Sequence, residues 1–407
     1  MKKKAVIIFI AVFIVIAGAA TGGYLYARQY IPEIAFDGFV DMDTASWTMD
    51  HNGEVIINGS GELPDLYRNY RYYDTVFPGK MNLTEKWIKK WADRINPGFH
   101  ARRVMIGKDV RDFSEERKFY DGEYFWMCED VAEIEVVDEN PFFSSEDGVL
   151  FNKDKTILLR YPPKKPDSAY AVPESVTEIN AYAFSDCNDL KELALPEGID
   201  NIGDPETVSG ICLAGLDSLE TIAVDPANQT YTVHDGVLFS KDAKTLLFCP
   251  PQIGITEYTL PEGVEEIAES AFADCGSIEK IILGDTFSAL GKWCFSGCST
   301  LRSVSIPGSV KTIPEGAFWG CGALETVELR DGIKHIGANA FYGCEKLLTV
   351  SIPDSVTAIG DAALGYYFRD EKTEDQKVKD FSIVCSDSCA AAKRYAEKNG
   401  FTLKLTT

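Results

Sequence analysis

From Ile278 to Ile359 the chain repeats itself every 23 residues. Cys275, Cys298, Cys321 and Cys344 fall at that spacing, and so do Phe272, Phe295, Phe318 and Phe341. Between them run Leu301-x-x-Val304-x-Ile306-Pro307, Leu324-x-x-Val327-x-Leu329 and Leu347-x-x-Val350-x-Ile352-Pro353. Each is followed by a second apolar pair: Val310 and Ile313, Ile333 and Ile336, Val356 and Ile359. A fixed period of this length denotes a solenoid, because one unit buries too little of its own apolar face and stacked neighbours bury it for one another. Apolar residues at the first, fourth and sixth strand positions should face inward, with those between them outward on one continuous parallel sheet. Pro196, Pro261, Pro307 and Pro353 each end a strand by withholding an N–H.

A longer repeat lies over the short one. Residues 140–163 match residues 228–251 at an offset of 88, and Asp147-Gly-Val-Leu-Phe151 is identical to Asp235-Gly-Val-Leu-Phe239. Lys153-Asp154, Leu158-Leu159 and Pro162-Pro163 recur as Lys241-Asp242, Leu246-Leu247 and Pro250-Pro251. Internal duplication is the simplest account. In each copy a Val-Leu-Phe run and a Leu-Leu pair flank a Lys-Asp turn, which predicts a hairpin. Asp147 and Asp154 lack calcium-loop spacing and a closing Glu, so they are read as turn residues.

Apolar content of 45% with 12% aromatics places the chain among packed proteins. Its net charge is −23, and since residues 1–30 hold Lys2, Lys3, Lys4, Arg28 and no acid, the remainder carries −27. Such a surface repels phosphates, so no nucleic-acid partner is expected. Three lysines followed by an apolar run over residues 5–26 fit either a signal peptide, with small residues at Gly18-Ala19-Ala20, or an uncleaved anchor. In both cases the bulk of the chain is exported, and this segment is the expected membrane contact. Cys128, Cys187, Cys275, Cys298, Cys321 and Cys344 each sit three residues after an aromatic. They are read as a buried column of free thiols rather than a metal ladder, since no His or carboxylate recurs in phase. Cys385 and Cys389 are left as a possible disulfide.

The ends depart from the repeat. Trp47 to Ile57 around Asn52-Gly53 reads as a β-hairpin. Leu66-Tyr67-Arg68-Asn69-Tyr70-Arg71-Tyr72-Tyr73 packs four Tyr and two Arg into eight residues. Asn82 with Glu85 opens a helix whose apolar face is Trp87, Ile88, Trp91 and Ile95. Arg103 to Ile106 with Val110, and Val131-x-x-Ile134-x-Val136, read as the first repeat strands. At the other end Phe381 to Val384 is a last strand, and Ser388 is expected to cap a helix stopped by Gly400.

The unit Leu-x-x-Val-x-Ile-Pro-x-Ser-Val-x-x-Ile-x-x-x-Ala-Phe-x-x-Cys, carried by residues 301–321, resembles the BspA-type leucine-rich repeat of bacterial surface proteins. The Asp-Gly-Val-Leu-Phe insert, the Trp47 … Gly59-x-Gly61 opening and the Ser388-x-Ala390 … Tyr395-Ala396 ending resemble parts of the same family. The expected fold is a mainly β solenoid, a leucine-rich repeat of about ten turns of about 23 residues. It should carry β-hairpin inserts, an N-terminal hairpin and helix cap and a C-terminal strand–helix cap. Its segments are a signal or anchor (1–30), a stalk (31–44), an N-terminal cap (45–100), the solenoid (101–367) and a C-terminal cap (368–407). The resemblance implies a surface interaction or adhesion protein and brings no catalytic residues.

No HExxH, GxSxG, Walker loop or CxxC pair occurs. The four His (His51, His100, His234, His335) fall at a turn, two loops and a repeat surface position. The reading is therefore a non-enzyme without cofactor or metal, binding a protein on a host or neighbouring cell. A carbohydrate-binding module and an extracellular enzyme are the alternatives. Two surfaces are candidates for the partner. One is the outward strand face, with columns through Glu133, Glu192, Thr221, Lys280, Ser303, Thr326 and Thr349, and through Glu135, Ala194, Ala223, Ile282, Ser305, Glu328 and Ser351. The other is the Tyr/Arg cluster of Tyr67, Arg68, Tyr70, Arg71, Tyr72 and Tyr73, which has the composition of interface hot spots and equally that of a plug on the solenoid end. Protease shaving of intact cells should release the repeat region, and N-terminal sequencing of the cell-bound form separates anchor from cleaved signal. Recovery from cytosol alone overturns export.

Overall fold

The computed structural model describes residues 46–49, 54–58, 61–62, 102–111, 130–181, 183–203, 213, 215–285, 287–367 and 376–406. The apolar N-terminal run, the stalk, the Tyr/Arg cluster, the helix expected from Asn82 and Cys128 lie outside the described residues. The chain divides into two units, one comprising Met1–Ser114 and Glu123–Phe142, the other Glu115–Gly122 and Phe143–Thr407.

In the first unit Ser46–Met49 pairs antiparallel with Glu54–Asn58, Trp47 opposite Ile57, as the Asn-Gly signal requires. Glu54–Asn58 then runs parallel to Arg103–Ile106, and that strand runs parallel to Glu133–Val136. The opening hairpin therefore continues into the first rungs. Val104, Ile106, Val110, Val131 and Ile134 form its buried side. Glu133 and Glu135, outward residues of the candidate face, both meet the Arg103 guanidinium, at 3.3 and 2.5 Å, and Glu54 approaches it at 3.4 Å. Asn140 is wholly buried. Its side-chain amide donates to the carbonyls of Gly107 (2.8 Å) and Val110 (3.0 Å) and accepts from Phe142 N–H (2.8 Å).

In the second unit the duplicated segments are three-stranded meanders. The first is Phe143–Glu146, Val149–Asn152 and Ile157–Arg160; the second is Tyr231–His234, Val237–Ser240 and Thr245–Phe248. The Lys-Asp hairpins are present, and each gains an outer strand that the sequence reading missed, since Phe-Ser-Ser-Glu shows no apolar alternation and Tyr-Thr-Val-His shows only four residues of it. The added turns are Asp147-Gly148 and Asp235-Gly236, with φ of 50° and 74°, and of 51° and 79°. Positive φ at both central residues suits the right-handed twist of a two-residue hairpin. The inner strand of each meander then pairs parallel with the short second strands of the following turns, Glu178–Ile179 and Glu266–Ile267.

The main strands stack in register at the repeat spacing: Lys280, Ser303 and Thr326 lie side by side, as do Ile281, Val304 and Val327. The strand face is not one continuous sheet. Among the described residues of this unit its strands bond as Ala169–Ala171 to Thr221–Val224, Glu257–Thr259 to Thr326–Leu329, and Thr349–Ser351 to Thr402–Leu405, three separate ladders. The first break falls where the second meander interrupts the stacking of one turn on the next. Inside, Phe272, Phe295, Phe318 and Phe341 stack with centroids 5.1 Å apart, the interplanar angle falling from 26° to 15° to 2°. The strand-ending prolines also open turns, since the carbonyls of Pro307 and Pro353 each accept the N–H three residues on, from Val310 and Val356, at 3.1 Å. Where the second short strands end, the backbones come so close that a Cβ on Gly291 or Gly360 would stand 2.3 or 2.4 Å from a nitrogen of the rung before, so only glycine fits there.

At the C-terminus Ala390–Asn399 is helical, and Gly400 closes it in the left-handed conformation (φ 66°). The capping expectation is corrected. Cys389 holds the N-cap position, without a side-chain hydrogen bond. The Ser388 hydroxyl instead donates to Asp354 at 2.8 Å, joined there by Ser386. Tyr395 buries its hydroxyl against Leu364, donating to the carbonyl and accepting the N–H, both at 2.9 Å.

Asn228 repeats Asn140 at the duplication offset. Its amide donates to Pro196, Glu197 and Ile199 carbonyls and its oxygen accepts from the N–H of Thr230 and Tyr231. Asn228→Ala leaves these buried groups short of partners, and urea unfolding should show a loss of about 2–4 kcal/mol. A loss under about 0.5 kcal/mol, the scale of a surface change, refutes the anchoring role.

Candidate functional site

The strand face is built by the alternation of each strand. Val304 and Ile306, or Val327 and Leu329, point into the core, and the residues between them stand outward. Lys280, Ser303, Ser305, Thr326 and Glu328 are brought together on one ladder, with Ile282 between. Thr349 and Ser351 stand on the next ladder, beside Ser382 and Val384. Thr221 belongs to an earlier one, next to Glu192.

This face satisfies most of its own polarity. Lys280 pairs with Glu257 (3.1 Å) and Lys191 with Glu220 (2.8 Å). Arg302 spans Glu279 (3.1 Å) and Glu325 (3.6 Å), and Arg330 spans Asp285 (2.9 Å) and Glu328 (3.6 Å). Ser305 donates to Glu328 at 2.7 Å, and the hydroxyls of Thr349 and Ser382 meet at 3.0 Å. Exposed pairs of this kind each add about 0–1 kcal/mol, so their main effect is to offset part of the negative charge of the face. Ile282 at 37% exposure and Leu348, at the entry to its strand, at 50% are open apolar side chains here, as is Leu405 at 53% on the last strand. Leu348 was missed in the sequence reading. Its signal was the Leu347-Leu348 pair, where neighbouring turns have Leu-Arg302 and Leu-Glu325.

Behind the face runs the thiol column. Cys275, Cys298, Cys321 and Cys344 are buried and free, as expected. They are more than small apolar fillers: the thiols of Cys298, Cys321 and Cys344 donate to the carbonyls of Phe272, Phe295 and Phe318 at 3.0, 3.1 and 3.2 Å. Burial pushes Cys187 up to about 12 and Cys294 well above the usual thiol range. Cys385 and Cys389 are also free and buried, not joined, with the Cys389 thiol turned to the Pro353 carbonyl. Among the described residues no three His, Cys, Asp or Glu side chains form a group able to hold a metal ion, and no helix is long and apolar enough to cross a membrane.

The sequence profile of the BspA type leucine rich repeat region matches this chain in six copies, over residues 168–224 and 248–368. Residues 168–224 and 248–368 are BspA-type leucine-rich repeats. No curated protein matches the chain. Among solved structures it is similar to a leucine-rich repeat protein from Eubacterium ventriosum, with 17% identity, a TM-score of 0.52, and coverage of 92% of this chain and 96% of that one. It also matches the pneumococcal vaccine antigen PcpA, at 18% identity and TM-score 0.49, covering 75% of this chain and 79% of that chain. A leucine rich cell surface protein from Faecalibacterium prausnitzii matches at 18% identity and TM-score 0.47, covering 83% and 96%. The profile passes over residues 225–247, the stretch that holds the outer strands of the second meander.

The BspA-type turns also carry aromatics, away from the strand face. Trp319, 38% exposed, stacks near-parallel to Tyr342 (6.5 Å, 6°) and meets Trp293 edge-on (6.3 Å, 71°). Trp293 in turn lies over Gly316, where a Cβ would come within 2.1 Å of its ring. These rings pack from turn to turn around one another. Alkylation tests the thiol column, because the thiolate is the reactive form. Cysteines of the folded repeat should stay unmodified even at about pH 9, half a unit above the ordinary thiol value, and react on denaturation. Cys321→Ser, which keeps a donor facing Phe295, should cost about 1 kcal/mol and Cys321→Val, which loses it and overfills the column, about 2–3 kcal/mol in thermal unfolding. Equal costs would remove the hydrogen bond from the explanation.

Proposed function

We propose that this protein, with its BspA-type repeats, is exported and held at the cell surface, and that its strand face docks a protein partner in adhesion or a related contact. Export rests on Lys2, Lys3, Lys4 and the apolar run over residues 5–26. The observation that carries the binding reading is the exposure of Ile282 and Leu348 on a face whose charges are paired among themselves. Ile282 and Leu348, three turns apart and on separate ladders, mark the two ends of one stretch of that face, each an apolar contact point within a polar surround. Ser303, Ser305, Thr326, Thr349 and Ser351 leave the face low and flat between them, so a partner backbone can approach closely. Lys280, Glu328 and Thr221 form the polar margin. The pairing offsets part of the acidic field, which shifts recognition there toward shape and burial and away from long-range attraction.

The Tyr/Arg cluster is the second candidate. Tyr and Arg bring large contact area and directional polar groups. The two are separated by substitution in the exported chain, with binding to whole host or neighbouring cells as readout. Ile282→Asp with Leu348→Asp should leave melting unchanged and weaken binding by about tenfold or more, equivalent to about 1.4 kcal/mol. Replacing Tyr70, Arg71 and Tyr72 with Ala should then alter stability without altering binding. The reverse pattern, with binding lost only in the Tyr/Arg variant, moves the site to the cap.

A further inference from the structure

The two duplicated meanders are closed by different physics. In both, the residue three positions after the first proline of the Pro-Pro pair folds back through the same turn, Lys165 N–H to Pro162 carbonyl (3.2 Å) and Ile253 N–H to Pro250 carbonyl (3.1 Å). In both, its side chain reaches the tip of its own meander. Ile253 comes so close to Gly236 that a Cβ there would stand 3.3 Å from its Cδ1. It packs with Ile255 against the apolar core. At the same positions the first copy has Lys165 and Asp167. The Lys165 ammonium, 7% exposed, donates to Asp147 of the Asp147-Gly148 tip at 3.0 Å and to Asp167. A second ion pair, Lys155 with Glu146 at 2.5 Å, ties the outer strand of this copy, where the second copy has Ala243 and His234.

The asymmetry within this clasp matters. Asp147 is 79% exposed and Asp167 45%, so both carboxylates are open to ions, whereas the cation they hold is buried. A buried cation deprived of its partners draws toward water. Here the nearest route to water is outward past the tip. Among the described strands, Phe143–Glu146 stands at the end of its sheet, paired with Val149–Asn152. Its release opens one edge of a strand whose Val149, Leu150 and Phe151 are otherwise buried.

We propose that the first meander is a strap held shut by the ionic clasp of Lys165 with Asp147 and Asp167, and that it opens on its own when that clasp is weakened, while the second, closed by Ile253 and Ile255, opens only with the unit as a whole. The other charged and phenolic groups facing the clasp are Tyr161 and Tyr170, with Glu146 next along the strand.

Hydrogen exchange on the exported chain tests this, since it resolves local from global opening. Raising salt from about 0.1 to about 1 M, which shortens the screening length from about 10 to about 3 Å, should speed exchange in Phe143–Glu146 and leave Tyr231–His234 unchanged. Asp147→Asn with Asp167→Asn should speed the first meander by about tenfold or more without salt, again sparing the second. Lys165→Ile with Asp167→Ile and Lys155→Ala, which copies the second meander at all three positions, should restore slow exchange and abolish the salt response. An equal salt response in the wild type and the Ile variant overturns the proposal. So does equal acceleration of both meanders in the Asn variant. If the Asn variant does not fold, the comparison of wild type with the Ile variant still decides.

Discussion

Each core side chain of the repeat lies on the equivalent side chain of the next turn, at the distance set by the parallel hydrogen-bond ladder. Strands in a sheet stand about 4.8 Å apart, and the phenyl rings of Phe272, Phe295, Phe318 and Phe341 follow at 5.1 Å. That spacing decides what may occupy a column. Flat rings stack at it, and a thiol fits beneath them with its hydrogen turned to a carbonyl of the turn before. At Gly291 and Gly360 nothing larger than hydrogen fits between consecutive backbones. A residue in this core is thus chosen by its copy in the neighbouring turn as much as by its own surroundings.

The same spacing governs the outside. Side chains one turn apart on the strand face are neighbours, so charges of opposite sign in adjacent turns find each other, as Glu257 and Lys280 do, or Glu279, Arg302 and Glu325. The chain is strongly acidic as a whole, and on this part of its surface each cation is held by carboxylates that still outnumber the cations. What distinguishes the face is then the pair of positions that breaks the charged pattern, Ile282 and Leu348. Their exposure is the basis of the docking proposal, whereas on the turns Trp319 and Tyr342 pack on one another.

The duplication shows how one backbone solution accepts two chemistries. Both meanders use the same turn and the same buried asparagine, Asn140 or Asn228, to satisfy the carbonyls of the rung before. They differ where the tip is fastened, apolar in one and ionic in the other. An apolar contact has no partner to lose, whereas a buried ammonium depends on carboxylates that stand in water. Divergence at a few side chains has therefore given equivalent segments unequal resistance to opening.

The repeat period alone determined the solenoid, the inward columns, the free thiols and the hairpins, because each depends on spacing along the chain and on residue types that recur in phase. Gly400 as a helix stop was legible for the same local reason, and so were Lys280, Ser303, Ser305, Thr326 and Glu328 as neighbours on one face. Only the tertiary structure decided contacts whose partners stand out of phase. Ser388 gave up the helix cap for Asp354, a residue 34 positions away. Arg330 reached Asp285 across 45 positions, and Lys165 returned 18 positions to Asp147. The breaks in the strand face were equally hidden, since a ladder is interrupted by where an insert sits in space. Periodicity fixes which residues share a column, but a side chain's partner across columns is set by distances that exist only once the turns have stacked.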